Sequence, residues 1–471
     1  MNQELAVNYL KKKGIGETMG KHLDAEELSH CNALFQSKEI ELTTKATLLT
    51  AILMLDKTPE EATWLEQAVA KKETIFPTEV WPLIDVHIDT STLRQTQHTA
   101  GSTSRTFNKD PKDTPPRSLS LRCAEPVEVS KGPAPSKNTL LPLALSALTH
   151  QDCSFQDTVT ATQHVLDPQI PEWQKGVFLE ALRLKRETPD ENLACLDVYR
   201  KHSHRWSVDL PHLVYLSNPF DGMKRHHPLS VFTAILMASI GVPTYLHGVE
   251  TIAPKYGITT HKLLAAAGKN PLKSPAHCIE DLQDPTIGFT YIDQSHSFPD
   301  AYNLIGLRKR MVKRPVLATI EKLCPVFIAQ HNSIVTGYTH PPYKEKSIQL
   351  CSDGSDYQKY VIVRGTEGSS EINPNKRTRI ISGITLSDSI ENFVEAPEIQ
   401  SEEPNDITLE STLELGQQCL SGNIPHDHNP VLHQAYHTIS ALKLISKDTL
   451  IKQLTHAIDS QTVVSRWVNF K

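Results

Sequence analysis

The sequence predicts an α/β protein in which a large domain with a largely parallel sheet follows all-α segments. Short apolar runs of strand length alternate with helical segments from about residue 206 onward, as expected for parallel strands connected by helices. A helical hairpin occurs twice in the residues before them. We therefore predict an additional N-terminal helical repeat at 1–95, a linker at 96–138, a small helical domain at 139–205 and the large α/β domain at 206–471.

The two copies of the helical hairpin lie 130 residues apart. KATLLTAILMLDKTPEE at residues 45–61 aligns with KGVFLEALRLKRETPDE at residues 175–191, with Thr-Pro over Thr-Pro. The Thr-Pro pair and the acidic residues after it are typical of the start of a helix. Asp24, and Thr43 or Thr44, are predicted to cap the helices of the first copy. Chance similarity between two amphipathic helices is the alternative interpretation.

Residues 96–138 differ in composition from the segments on either side. They are rich in Ser, Thr, Pro, Lys and Arg and poor in large apolar side chains, as in QHTAGSTSRTFNKDPKDTPPRS. Such a stretch buries too little apolar surface to offset the entropy that it would lose on ordering. We predict a flexible linker between the two repeats.

The composition of the whole chain excludes several classes of protein. The 471 residues are 39% hydrophobic and carry a net charge of −6, so more than one domain is expected and no general attraction for nucleic acid. Eight cysteines are scattered without metal-ligand spacing, which argues against a zinc site and a disulfide framework. The N-terminus lacks the apolar core of a signal peptide, and no run is long enough to span a membrane. A cytoplasmic protein with no membrane partner is expected.

The central unit of the large domain is a strand, a loop and a helix. Residues 213–216 form the predicted strand and residues 229–240 the predicted helix. The loop at 217–227 contains Lys224, Arg225 and two histidines, and it lies before the positive end of that helix. We therefore predict that this loop binds an anion. A solvated basic turn that binds nothing is the alternative.

A second group of cations lies within a predicted long helix at residues 300–325. Five basic side chains fall within seven residues, namely Arg308, Lys309, Arg310, Lys313 and Arg314. Helical spacing would place Lys309 with Lys313, and Arg310 with Arg314, on shared faces. A solvated charged face is the usual explanation for such a run.

Several motifs, in order from about residue 140 to the C-terminus, resemble those of the anthranilate phosphoribosyltransferase family, glycosyltransferase family 3. QKGVFLEALRLKRETPDE resembles Q-x-x-A-F-L-x-A-L-R-x-K-G-E-T-x-E-E, LHGVE resembles K-H-G-N-R, and RKRMVKR resembles R-x-x-L-G-x-R. VTGYTHPPY and VIVRGTEGSSEI resemble V-G-V-x-H-P-x and V-V-H-G-x-D-G-x-D-E-I. The resemblance implies a divergent member with a nucleoside phosphorylase/phosphoribosyltransferase-like large α/β domain and a small all-α domain.

The resemblance also implies a reaction and a set of partners. Family members bind phosphoribosyl pyrophosphate with Mg²⁺, release pyrophosphate and transfer the pentose to an amine through an oxocarbenium-like transition state. They form a homodimer through the small helical domain. Phosphoribosyl pyrophosphate or another phosphorylated small molecule, Mg²⁺ and a second copy of the chain are thus the expected partners.

Site residues are carried over motif by motif. His247 and Arg314 are expected to be catalytic, Arg314 because it aligns with the arginine that meets the carboxylate of the acceptor. Glu367 and Glu371 are the expected magnesium ligands. The expected phosphate-binding residues are Ser217, Asn218, Asp221, Gly222, Lys224, Arg225, Ser230 and Gly248.

Three of the four functional motifs depart from the family pattern. The glycine-rich loop G-T-G-G-D is replaced by SNPFD at 217–221, whose proline removes one N–H donor. K-H-G-N-R keeps only His247 and Gly248, and the Asp-Glu pair for the metal is Ser370 and Glu371. We therefore predict a transferase fold that binds a phosphorylated ribose or nucleotide through a degenerate pyrophosphate loop, without making phosphoribosyl-anthranilate.

Two other functions remain open at this point. One is a non-catalytic protein that binds single-stranded nucleic acid through a basic helix, with contacts to the phosphates from Lys309, Arg310, Lys313 and Arg314. The other is a helical scaffold in which the additional N-terminal repeat mediates interactions.

Overall fold

The computed structural model of the chain describes residues 3–14, 21–100, 140–352, 356–385, 387, 389–395 and 406–471, apart from the side chains of residues 91–100. Most of the predicted linker at 96–138 lies outside these residues. Its first residues, 96–100, are the end of a helix that begins at Trp81. None of the helices in these ranges has the length and the apolar character needed to cross a bilayer. The seven cysteines that the structure describes are buried and free.

Two matching sets of helices make up the N-terminal part of the chain. The first set is α1 (Gln3–Lys13), α2 (Ala25–Gln36), α3 (Leu42–Met54), α4 (Pro59–Ala70), α5 (Lys72–Ile75) and α6 (Trp81–Ala100). The second set is α7 (Leu141–Leu148), α8 (Phe155–Leu166), α9 (Glu172–Lys185) and α10 (Pro189–His202). The starts of α2, α3 and α4 precede those of α8, α9 and α10 by 130 residues each, which confirms the predicted repeat.

Helix caps reproduce the repeat in detail. Thr58 and Thr188 form capping boxes with Glu61 and Glu191, and a proline follows each threonine at the first helical position. Asp24 caps α2 in the same way, as predicted. The prediction that Thr43 or Thr44 caps α3 is wrong, because α3 begins at Leu42 and both threonines are buried inside it.

A seven-stranded sheet forms the centre of the large domain. Its strands are β2 (Leu213–Leu216), β3 (Thr244–Gly248), β4 (Phe289–Asp293), β6 (Asn332–Gly337), β7 (Lys359–Val363), β8 (Thr378–Ile384) and β9 (Ile390–Val394). The order across the sheet is β4-β3-β2-β6-β7-β8-β9; the strands from β4 to β7 are parallel, and β8 is antiparallel to both of its neighbours, β7 and β9. Beside it, β1 (Trp206–Ser207) and β5 (Phe327–Ile328) form a short parallel pair. The predicted, largely parallel sheet is confirmed.

Helices cover both faces of this sheet. They are α11 (Ser230–Ser239), α12 (Thr260–Ala266), α13 (Pro275–Gln283), α14 (Gln294–Ser297), α15 (Pro299–Tyr302), α16 (Ile305–Met311), α17 (Leu317–Ile320), α18 (Pro342–Ser352), α19 (Leu409–Ser421), α20 (Pro430–Leu442), α21 (Lys447–Asp459) and α22 (Thr462–Asn469). Alternate residues of β2 point to opposite faces. Tyr215 belongs to the core shared with the helical repeats, and Val214 and Leu216 belong to the core shared with α11 and the C-terminal helices.

The basic segment is not the long helix that the sequence predicted. Between Pro299 and Leu323 the backbone forms the short helices α15, α16 and α17 and a 3₁₀ turn. Helix α16 ends at Met311 because Val312 adopts a left-handed conformation, with φ of 66°. Pro315 lacks an N–H and disfavours a helical conformation in the residue before it. Lys313 and Arg314 therefore lie beyond the helix and share no helical face with Lys309 and Arg310.

Candidate functional site

The predicted site residues converge at the carboxyl ends of β2, β3 and β7. This crevice is where open α/β sheets usually bind ligands. Ser217 and Asn218 follow β2, His247 and Gly248 end β3, and the segment 366–371 follows β7. The loop after β2 then leads into the N-terminus of α11.

The carboxylate of Glu367 occupies the centre of the predicted anion-binding loop. Its Oε1 accepts hydrogen bonds from the backbone N–H groups of Lys224 at 3.0 Å and Arg225 at 2.7 Å. Its Oε2 lies 2.8 Å from Nζ of Lys255. Burial alone would raise the pKa of Glu367, but His226, Lys255 and the backbone of Arg225 outweigh it and hold the pKa well below its usual range. This part of the loop binds an anion that belongs to the chain itself.

Glu371 occupies the N-terminus of α11. Its Oε1 accepts from the backbone N–H of Ser230 at 2.9 Å and from Oγ of Ser230 at 2.6 Å. Burial raises the pKa of this carboxyl to about 7. The free N–H groups at a helix start are the usual donors to phosphate, and here a carboxyl side chain takes them.

Arg314 pairs with Asp221. Its Nε and Nη2 donate to Oδ2 of Asp221 at 2.9 and 2.6 Å, and the aspartate is buried. This ion pair uses the arginine that the resemblance assigns to the carboxylate of an acceptor. Arg314 keeps part of its side chain exposed, but its guanidinium is already bound to a carboxylate.

Phe220 and Met223 fill the space in front of β3. Both side chains are buried, and the ring of Phe220 packs edge-on against His247 with ring centres 5.0 Å apart. A Cβ at Gly248 would lie in contact with Tyr291 and Phe220. The cavity that remains has a volume of about 20 Å³, which is room for a water molecule rather than a pyrophosphate.

Gly222 is closed off by backbone. Its φ of 72° suits glycine, and a Cβ at this position would lie 2.5 Å from the carbonyl oxygen of Ile258. The N–H of Gly222 donates to the carbonyl of Pro219. Neither the N–H nor the adjoining space is available to a phosphate group, so the predicted role of Gly222 has no support from its geometry.

Asn218, Ser217 and Nε2 of His247 have partners within the chain, whereas Nδ1 of His247 is buried without a hydrogen-bond partner among the described residues. Asn218 accepts from the backbone N–H and from Oγ of Ser370, at 3.1 and 3.0 Å, and Ser217 donates to the carbonyl of Lys322. Nε2 of His247 lies 2.7 Å from Oγ of Ser297. Burial lowers the pKa of His247 to about 4, so the ring is neutral near pH 7.

Lys224 and Arg225 lie at the rim of the crevice. Their backbone N–H groups bind Glu367, but their side chains are directed outward and exposed, with Nε of Arg225 3.9 Å from the carboxylate. These two cations are thus accessible to an anion in solvent. The side chains of Lys224 and Arg225, which the sequence analysis expects to bind phosphate, thus lie only at this outer edge.

Two lysines of the crevice were missed by sequence reasoning. Lys255 binds Glu367, and Lys322 is buried with Nζ 2.6 Å from the carbonyl of Gly337. Burial lowers the pKa of Lys322 to about 8. Neither lysine lies in a recognisable motif, since each is brought in by a loop from another part of the chain.

The basic segment binds other parts of the chain. Arg310 forms ion pairs with Glu41 at 2.6 Å and with Glu172 at 2.9 Å, and Lys313 donates to the backbone carbonyl of Lys11. Lys309 is exposed and, within the described residues, pairs with no acidic side chain. Three of the four cations proposed for nucleic acid, including Arg314, are therefore engaged inside the molecule.

The two predicted magnesium ligands do not fit a metal site in this arrangement. Glu367 is held by Lys255 and two backbone N–H groups, and Glu371 is buried with a raised pKa. Mg²⁺ requires ionised oxygen ligands with room for water or phosphate oxygens beside them. Within the ranges that the structure describes, no group of three or more His, Cys, Asp or Glu side chains could hold a metal ion.

Comparisons with known proteins agree with the fold. Residues 145–203 match the family model described as the helical bundle domain of a glycosyl transferase family. The chain is 22% identical over 272 residues to an uncharacterized protein of Aquifex aeolicus, which covers 58% of this chain and 82% of that protein. Over 265 residues it is 22% identical to the uncharacterized protein YbiB of Escherichia coli, covering 56% and 80%.

Anthranilate phosphoribosyltransferases are also among the similar proteins. The enzyme of Anaeromyxobacter sp. (strain K) is 27% identical over 189 residues, 39% of this chain and 53% of that enzyme. The crystal structure of the Thermus thermophilus enzyme superposes with a TM-score of 0.52 at 17% identity, covering 69% of this chain and 96% of that one. The Saccharomyces cerevisiae enzyme in complex with PRPP and Mg gives 0.56 at 16%, covering 70% and 96%.

The helical bundle and the α/β sheet together have the fold of anthranilate phosphoribosyltransferase, and the bundle matches the helical bundle domain of a glycosyl transferase family. In sequence the chain is similar to these proteins at 22–27% identity.

Proposed function

We propose that the chain binds a phosphorylated ribose or nucleotide at the rim of the crevice and does not make phosphoribosyl-anthranilate. The observation that carries this proposal is the position of Glu367. Its carboxylate accepts from two consecutive backbone N–H groups and from a lysine, a set of donors that suits a phosphate oxygen equally well. The donors of an anion site are thus kept, and a carboxylate of the chain occupies them.

The outer cations support binding of a phosphate group. Lys224 and Arg225 present exposed side chains next to the donors that Glu367 occupies. An incoming phosphate would meet these cations first and would then compete with Glu367 for Lys255. Since the carboxylate repels the ligand, binding by the unmodified chain is expected to be weak.

Several features argue against transfer of the ribose. Phe220 and Met223 fill the inner pocket, and Arg314 is bound to Asp221. The loss of one preorganised donor to a developing charge typically costs about 10²–10³ in rate. We propose that binding needs no Mg²⁺, because neither Glu367 nor Glu371 is free to ligate it.

Removal of the internal carboxylate tests the proposal. In the variant Glu367→Ala, the backbone donors and Lys255 become available, so we expect phosphoribosyl pyrophosphate to bind about tenfold more tightly, which corresponds to roughly 1.4 kcal/mol. Isothermal titration calorimetry with and without Mg²⁺ measures this change. Adding Lys255→Ala to the variant should abolish the gain.

The matched control is Glu345→Ala, which removes an exposed carboxylate that pairs with Lys344 and should leave the affinity unchanged. If neither the unmodified chain nor Glu367→Ala binds phosphoribosyl pyrophosphate, the proposed ligand class is wrong. Release of pyrophosphate in the presence of anthranilate would instead disprove the absence of transfer.

A further inference from the structure

The helices α3 and α9 occupy equivalent positions in the two repeats and pack against each other. They are in close contact at Gly176, where a Cβ would lie 3.0 Å from Oγ1 of Thr47 and 3.1 Å from Cγ2 of Thr43. Every residue of α3 from Thr43 to Met54 is buried. A helix that is buried on all sides has no face left for another partner.

Other contacts hold the two repeats together at their edges. Arg183 in α9 donates to the backbone carbonyl of Gly14, at the end of α1, at 2.6 Å. Arg310 in α16 forms ion pairs with Glu41 and Glu172, which stand at the N-termini of α3 and α9. The basic helix α16 therefore bridges the same end of both copies.

This arrangement has the form of an interface between two copies of one unit. In a symmetric dimer the same surface patch is used by both subunits. Here the same helix of each repeat contributes the patch, and both repeats belong to one chain. An interface of this kind is closed once the two copies are paired, because each copy offers one such patch.

We propose that the N-terminal repeat is a built-in partner for the small helical domain, so that the pairing of two such domains takes place within one chain and the chain is a monomer. Within residues 1–95, α3 covers one face of α9, so that face is not open to a second chain. The homodimer expected from the family resemblance is then replaced by an internal pair. This proposal does not depend on the ligand of the crevice.

The molar mass of the 471-residue chain in solution is the first test. We expect sedimentation equilibrium to give 52.6 kDa across a wide range of protein concentration. A mass that rises to twice this value would overturn the proposal, either because α9 pairs with a second chain or because the repeats exchange between chains.

A disulfide between the repeats distinguishes pairing within one chain from exchange. Thr47→Cys and Gly176→Cys would place one thiol on each side of the α3–α9 contact, where a Cβ at position 176 lies 3.0 Å from Oγ1 of Thr47. Cys123, which lies outside the described residues, is replaced by serine in the same chain. Under oxidation we expect a faster-migrating monomer band on non-reducing gels, with no covalent dimer.

Each single cysteine variant serves as the control and should show no shift. A covalent dimer in the double variant would mean that the repeats pair between chains and would overturn the proposal. Failure of a folded double variant to form any disulfide would overturn the α3–α9 contact itself. If the double variant does not fold, the mass of the unmodified chain still decides between monomer and dimer.

Discussion

Glu367 and Glu371 lie in the crevice where the resemblance places metal and pyrophosphate, and both bind donors of the chain itself. Both residues could be identified in the sequence, because they lie in the segment VIVRGTEGSSEI, which resembles a family motif. Their partners were not visible, because Lys255 and Ser230 lie more than a hundred residues away and are brought in by the sheet. The same holds for Arg314, whose sequence neighbours give no sign of its pairing with Asp221.

The raised pKa of Glu371 predicts a stability that depends on pH. Because the folded state holds the proton more tightly than the unfolded state, the contribution of this group to stability is full below about pH 4.5 and is lost as pH rises towards 7. A shift of this size corresponds to about 3 kcal/mol. Glu371→Gln keeps the acceptor for Ser230 but carries no charge.

We therefore expect the free energy of unfolding of Glu371→Gln, relative to that of the unmodified chain, to increase as pH rises from about 4.5 to 7. Urea denaturation at several pH values measures the difference. In Glu345→Gln, an exposed control, no such pH-dependent difference should appear. Parallel pH curves for Glu371→Gln and the unmodified chain would contradict the prediction.

At the scale of elements, local patterns predicted the helices well where the cap residues were explicit. Thr-Pro followed by an acidic residue correctly located the starts of α4 and α10. The offset of 130 residues also relates α2 to α8 and α3 to α9. The prediction of one long helix in the basic segment was wrong, because the spacing of charged residues carries no information about where a helix ends. The helix ends before Val312 and Pro315, and Arg310 forms ion pairs with Glu41 and Glu172.

Equivalent caps should make equivalent contributions to stability. Thr58→Ala and Thr188→Ala each remove the side chain that accepts from the third residue of a helix, so each should lower the free energy of unfolding by about 1 kcal/mol. Chemical denaturation measures both. Thr63→Ala, on the exposed side of α4, is the control and should change stability by less than about 0.5 kcal/mol. A loss for Thr188→Ala alone would mean that the first repeat is not folded like the second.

At the scale of the whole molecule, the alternation of strands and helices predicted the parallel part of the sheet and the crevice at its carboxyl ends. The antiparallel strands β8 and β9 were not predicted. The packing of the additional repeat on the small domain could not be predicted either. This packing depends on contacts between side chains of α3, α9 and α16. The sequence of the linker between the repeats does not indicate how one repeat is oriented relative to the other.

The net charge and the paired cations predict weak binding of nucleic acid. The chain carries −6, and Arg310, Lys313 and Arg314 already have partners. The salt dependence of binding scales with the number of phosphates that cations neutralise, so we expect a shallow slope in fluorescence anisotropy with a single-stranded oligonucleotide. Arg310→Ala with Lys313→Ala should lower thermal stability and leave this slope unchanged. A steep slope that the double variant removes would contradict the prediction and restore the nucleic-acid hypothesis.

The close approach of α3 and α9 shows what duplication within one gene permits. At equivalent positions one repeat has Ala46 and the other Gly176, and it is the glycine that lies against the threonines of the opposite helix. In an assembly of identical subunits every substitution appears on both sides at once. Here the two sides are encoded separately, so one helix can have the larger side chains Thr43 and Thr47 where the other has the smaller residue Gly176.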